Sequence, residues 1–262
     1  FSPIAVKGVT SKQNYLNSQL GEAIHIYREE FLNLEDEDQR PHLAIIGVEE
    51  DRAAINNKGA AKAPNAVRKH LYDLYQGDYK IKIADLGNIK AGESINDTYA
   101  ALKIVVEELV KKDIVPIIIG GGQDLTYAQY RGYQELEQRV EVAIIDAKFD
   151  LDQEHTEDMP LNSQTYLNHL ILHQPDYLFN LNNVAYQTYL VSKESINMYD
   201  KLFFNAQRVG MIAGKLDQAE PIIRAADMVS FDIGAIRASA AQVNANAVPN
   251  GLFGDEACEM AR

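Results

Sequence analysis

Short, nearly continuous runs of apolar and β-branched residues alternate along the chain with longer stretches of helical periodicity. Such runs at residues 42–48, 82–86, 115–119, 142–145, 177–181 and 228–231 predict strands buried on both faces, because a half-exposed strand would alternate apolar with polar. The clearest helix runs from Ser94 to about residue 112. Ser94 is placed to cap it, and Tyr99, Leu102, Val106, Leu109 and Val110 form an apolar stripe along it. Lys111 and Lys112 close it with positive charge at the negative end of the helix dipole. Further helices are predicted at 63–75, where Pro64 suits a first turn, and at 125–138, 218–226 and 255–262. Residues 150–160 are acidic and without period, and residues 240–250 are rich in Ala and Asn, so both read as loops.

Strands alternating with helices predict an α/β fold: a single doubly wound, mostly parallel sheet with helices on both faces, residues 1–262 forming one domain. No repeat, low-complexity tract or linker interrupts it. The chain starts without Met and reaches Arg262 inside a predicted helix, so the domain is read as cut short at its C-terminus.

Composition narrows the partners. A net charge of −13 argues against nucleic acid and against an anionic membrane, both of which call for a basic surface. No apolar run approaches the ~20 residues of a membrane span, and Phe1-Ser2-Pro3 lacks the layout of a signal peptide. The lone Cys258 excludes an intrachain disulfide framework, and a cytoplasmic location is expected. Cys258 itself reads as a small buried hydrophobe.

In doubly wound sheets the functional crevice lies beyond the carboxyl ends of the strands. Three predicted strands end there in polar segments: Gly120-Gly121-Gly122-Gln123-Asp124, Asp146-Ala147-Lys148-Phe149-Asp150 and Ser230-Phe231-Asp232-Ile233-Gly234. Asp146, Asp150 and Asp232 would share one edge of the sheet. Carboxylates held together in a partly dry cleft raise one another's pKa unless a cation compensates them. The glycine run reads as a tight strand-to-helix turn rather than a phosphate cradle, since no Lys-Ser or Lys-Thr pair follows it. His25, His42, His70, His155, His169 and His173 show no metal-ligand spacing, and the acidic run 35–38 reads as a solvated loop.

In this order the three segments resemble the Gly-Gly-x-His, Asp-Ala-His-x-Asp and Ser-x-Asp-x-Asp segments of the ureohydrolases, the arginase, agmatinase and formimidoylglutamase group. That resemblance implies an arginase-like fold, a pair of manganese ions, hydrolysis of linear amidines and assembly into homo-oligomers. It also exposes departures. Gln123 stands where the family has a metal-binding histidine, Lys148 stands at the second such histidine, and Gly234 replaces the last aspartate. The later segment 251–257 resembles the one whose carboxylate faces substrate, which makes Glu256 the matching residue.

These departures set the expectations. An ammonium on Lys148 would lie near one metal position, and at ~4 Å with an effective dielectric of about 20 it would oppose each unit of positive charge by ~4 kcal/mol. No cofactor is therefore expected, or at most one hard divalent cation held by Asp146, Asp150 and Asp232. Lys148 is expected to pair with those three acids in place of metal. The leading reading is a catalytically degenerate ureohydrolase homologue that binds a cationic guanidino or amine compound, or a protein partner. The alternatives are an active hydrolase of carbon–nitrogen bonds in guanidino or formimino compounds with an altered or single-metal site, and a structural subunit of an oligomer.

Overall fold

A computed structural model of the chain describes residues 9, 14–27, 34, 36–151, 159–242 and 244–262. The fold is α/β, with parallel strands and helices around them. Two compact units are formed, residues 1–54 with 58–136 and residues 55–57 with 137–262. Each is built on a four-stranded parallel sheet.

In the first unit, β1 (His25–Ile26), β2 (Leu43–Glu49), β3 (Ile83–Lys90) and β4 (Val115–Ile119) lie in the order β1-β3-β2-β4. Its helices are α1 (Leu20–Ala23), α2 (Ala63–Leu71), α3 (Ile95–Val110) and α4 (Leu125–Gly132). The start of α3 is fixed as its sequence implies: Ser94 Oγ accepts from Asp97 N, and the Asp97 carboxylate accepts from Ser94 N, a reciprocal cap. Tyr99, Leu102, Val106 and Leu109 are buried along one face, with Val110 half-buried at its edge.

Helix α2 begins with Pro64 in its first turn but stops at Leu71, short of the predicted residue 75. The carbonyls of Tyr72 and Leu74 are taken instead by the N–H groups of Gly21 and Leu20, which diverts the chain from the helix. The same helix buries Arg68 completely. Its guanidinium donates to Asp85 at 2.7 and 2.8 Å, to Asn88 at 2.5 Å and to the Gly87 carbonyl at 3.1 Å. Tyr72 adds its hydroxyl to Asp85 at 2.9 Å. A charge without solvent is tolerable only with partners of this number and geometry.

The second unit holds β5 (Val140–Ile145), β6 (Leu178–Tyr186), β7 (Asn205–Arg208) and β8 (Met228–Phe231) in the order β7-β6-β5-β8. Its helices are α5 (Tyr166–Ile171), α6 (Lys193–Lys201), α7 (Val209–Ile212), α8 (Glu220–Ala225) and α9 (Gly254–Met260). Ile145, Val184, Ala185, Val209, Ile212, Ala235, Leu252 and Met260 form its apolar core.

Several elements depart from the sequence pattern for definable reasons. Strand β6 runs on to Tyr186, through Asn182 and Asn183, because both buried amides find partners: Asn182 donates to Glu141 and Asn183 to the Lys148 carbonyl, each at 2.9 Å. Strand β7 is a short polar edge, Asn-Ala-Gln-Arg, without the apolar run that marks the others. Helix α4 ends at Gly132, and the chain continues as a 3₁₀ turn at Gln134–Leu136. Cys258 is exposed, not buried as its composition suggested, because it lies on the outer side of α9 while Ala257 and Met260 face inward. Residues 152–158 of the predicted acidic loop, with His155 and Glu35, lie outside the described residues. Among the described residues no helix is long and apolar enough to cross a membrane.

Candidate functional site

In the second unit the chain leaves β5 at Ile145 and enters the turn formed by residues 146–150. Backbone bonds stitch this turn to β6: Asp146 N donates to Val184 O at 3.0 Å and Gln187 N donates to Ala147 O at 2.9 Å. Within the turn, Asp146 Oδ1 accepts from Lys148 N at 3.0 Å. The Phe149 ring stacks on Tyr199 with centroids 4.1 Å apart, and meets Tyr186 at 5.0 Å. Asp150 closes the turn with a φ of 45°, a left-handed conformation that aspartate tolerates better than most residues.

Strand β8 brings the third carboxylate to the same edge. Asp232 N donates to the Ile145 carbonyl at 2.9 Å, and Asp232 Oδ1 accepts from Gly234 N at 2.5 Å. A Cβ on Gly234 would meet Asp232 Oδ1 at 2.7 Å and the Asn244 amide at 3.0 Å, so a side chain here would displace those two side-chain ends.

The three acids act on one another. Burial, followed by the charges of Asp150 and Asp232 and the hydrogen bond with Asp150, holds the Asp146 carboxyl well above the usual range. Burial pushes Asp150 up to about 6, against the bond from Asp146 and the Lys148 ammonium, with the Asp232 charge adding to the rise. Burial also raises Asp232, restrained by the Gly234 N–H and by Lys148. Tyr166 of α5, fully buried, is pushed further up by burial and by the same three carboxylates, so its phenol stays neutral beside them. Lys148 acts on Asp150 and Asp232 through its charge.

Asp146, Lys148, Asp150, Asp232 and Gly234 are thus brought together in one unit. Gln123 lies in the first unit, half-buried in the turn between β4 and α4. That turn needs its glycines: Gly120 and Gly121 have φ of 95° and 80°, and a Cβ on Gly121 would meet the Glu50 carbonyl at 2.6 Å. Next to Gln123, the fully buried Asp124 accepts from Tyr99 Oη at 2.7 Å and is pushed up to about 6 by burial. Glu50 sits below the usual carboxylate range, because bonds from Arg52 and Thr98 outweigh its burial. The sequence reading missed Glu50, Tyr99 as a polar partner, and Tyr166. For Glu50 the available signal was its position directly after a strand.

Glu256 has a structural task. One oxygen accepts from Gly214 N and the other from Phe253 N, each at 2.8 Å, which caps the start of α9. Arg237 covers the adjoining Phe253 ring, 3.2 Å from its centroid.

Parallel strands whose carboxyl ends carry a buried acid cluster define the α/β class with a carboxylate site at the sheet edge. The chain belongs to the arginase family, whose sequence pattern matches residues 41–262. It is 31% identical over 134 residues to a formimidoylglutamase of Streptococcus gordonii, a stretch covering 47% of this chain and 41% of that relative. A formimidoylglutamase of Streptococcus pyogenes is 32% identical over 134 residues, covering 46% and 40%. The match thus spans about two-fifths of the length of these curated relatives. Among solved structures, the Trypanosoma cruzi formiminoglutamase with Mn2+ has a TM-score of 0.80 at 20% identity, covering 92% of this chain and 84% of that one. Formimidoylglutamase from Bacillus subtilis has a TM-score of 0.79 at 20% identity, covering 95% and 80%. Both share the fold.

One expectation is corrected by these findings. The sequence reading expected no cofactor, or at most one hard cation, whereas the fold is that of an enzyme solved with Mn2+. The cluster itself supplies a physical reason: the Lys148 charge lowers Asp150 and Asp232 but does not offset the burial that raises them, and Asp146 stays raised as well. Among the described residues no group of three or more His, Cys, Asp or Glu is arranged so that it could hold a metal ion. The carboxylate oxygens of Asp146, Asp150 and Asp232 are of the donor type that manganese accepts.

Proposed function

We propose that this chain is a formimidoylglutamase-like ureohydrolase homologue in which Asp146, Asp150 and Asp232 hold manganese and present a cationic guanidino or formimino compound to the site, with binding retained and hydrolysis weakened. The observation that carries this reading is the set of three aspartates, Asp146 buried and Asp150 and Asp232 half-buried, gathered at the ends of β5 and β8 with their pKa values all raised. When bound, the metal supplies positive charge and polarises a carbon–nitrogen group. The protein's own part is to orient the carboxylates through the 146–150 turn and to keep the Tyr166 phenol neutral beside them.

Weakened hydrolysis is supported by the three changed positions. Gly234 provides no side-chain ligand, Lys148 places an ammonium among the acids, and Gln123 offers an amide where the family motif has an imidazole. The acid lining favours a cationic ligand over an anionic one. Assembly into a homo-oligomer belongs to the same proposal and rests on the resemblance alone; light scattering on the purified chain tests it.

The test of function is binding and turnover with manganese-loaded protein, using arginine, agmatine and formimidoylglutamate as probes. Saturable binding of at least one at millimolar concentration, with slow or absent release of the cleaved product, is expected. Indifference to all of them overturns the proposal, and turnover at rates ordinary for enzymes overturns the weakened part of it.

A further inference from the structure

We infer that Asn183 is the positioning residue of the acid turn: its side-chain amide, donated from β6 to the carbonyl of Lys148, fixes the loop that presents Asp150 and Lys148 to the site. The inference rests on the proposed manganese reading only for its consequence in metal affinity. Asn183 is buried, and its Nδ2 meets Lys148 O at 2.9 Å. Among the tethers of this turn to β6 described above, it is the side-chain hydrogen bond, and it engages the residue between the two acids. The turn needs such a tether, because Asp150 sits at a φ of 45° and a non-glycine residue stays there only when its surroundings over-determine it.

A second observation separates this role from packing. Among the described residues Asn183 Oδ1 is buried with no hydrogen-bond partner. A buried acceptor without a partner costs stability, and leucine would fill the same volume without that cost. The amide therefore serves its donor bond rather than the core. Its neighbour Asn182 provides a control on the opposite face of the strand, equally buried, with its amide bonded to Glu141 at 2.9 Å, at the far end of β5 from the acid turn.

The experiment compares wild type, Asn183→Leu and Asn182→Leu, with Asn183→Ala used if leucine prevents folding. Hydrogen exchange at the Lys148 and Phe149 amides is followed in chelator, and Mn2+ affinity is then measured by electron paramagnetic resonance. Exchange in the turn should quicken by ~10-fold or more in the Asn183 variants only, with no loss of melting temperature in Asn183→Leu, and Mn2+ affinity should fall by ~10–100-fold, the usual effect of removing an outer partner of a metal site. Unchanged exchange in the turn, or an equal change in Asn182→Leu, overturns the inference. Selective loosening of the turn in a protein that takes no Mn2+ upholds the role of Asn183 and overturns the manganese reading instead.

Discussion

Replacing Asp150 by Asn should stabilise the metal-free protein at pH 8 and leave it unchanged at pH 4. Asp150 is raised from 3.8 to about 6, and at ~1.4 kcal/mol for each tenfold in the protonation equilibrium this corresponds to ~3 kcal/mol. Solvent reaches part of the side chain and screens it, so ~1–3 kcal/mol is the working range. The sign follows from the direction. An acid whose folded pKa lies above its unfolded value is most favourable to folding below about pH 4, and that contribution is lost as pH rises through about 6. Asparagine removes the charge, keeps a side-chain carbonyl acceptor and tolerates the left-handed φ at this position. Urea unfolding in chelator at pH 4, 6 and 8 measures the effect. A variant less stable than wild type at pH 8, or a gain of equal size at all three pH values, would refute the reasoning.

Other outcomes follow from the same geometry. Mn2+ affinity should weaken as pH falls, by ~10-fold between pH 8 and pH 5 from Asp150 alone, since the bound ion requires that carboxylate ionised; calorimetric titration across pH checks this. Arg68→Met should cost ~3–5 kcal/mol by leaving Asp85 buried without its partner, and adding Asp85→Leu should recover much of the loss in a denaturant series. Ser94→Ala should cost ~1 kcal/mol through the lost cap of α3, read as a lowered urea midpoint. Glu256→Ala should cost a similar ~1 kcal/mol through the cap of α9 while leaving arginine or agmatine affinity unchanged, and a selective loss of affinity would restore Glu256 to the site.

Where the sequence was legible, the physics was local. Apolar runs such as 115–119 and 228–231 match β4 and β8 in position, but each is the edge strand of its four-stranded sheet and leaves Val115 and Ile117, or Val229 and Phe231, exposed, so burial on both faces was not what the runs recorded. Ser94 and Asp97 announced the start of α3 within a single turn of chain. Illegible were elements whose polar residues are satisfied only by distant partners: Asn183 reads as a strand breaker until Lys148 O is beside it, and β7 reads as loop until β6 pairs with it. Helices α5 and α6 escaped because neither carries a long apolar stripe. At the site, the three aspartates were visible from their places after strands, whereas the rise in their pKa values depends on burial that no motif records.

Manganese content decides most directly whether the acid cluster is a metal site. Wild type and Asp150→Asn, each dialysed against excess Mn2+ and then against buffer, are compared by elemental analysis and by electron paramagnetic resonance. Stoichiometric manganese retained by wild type and lost from Asp150→Asn is the predicted result. Wild type returning free of metal, or both proteins keeping it equally, would contradict the assignment of Asp146, Asp150 and Asp232 as its ligands.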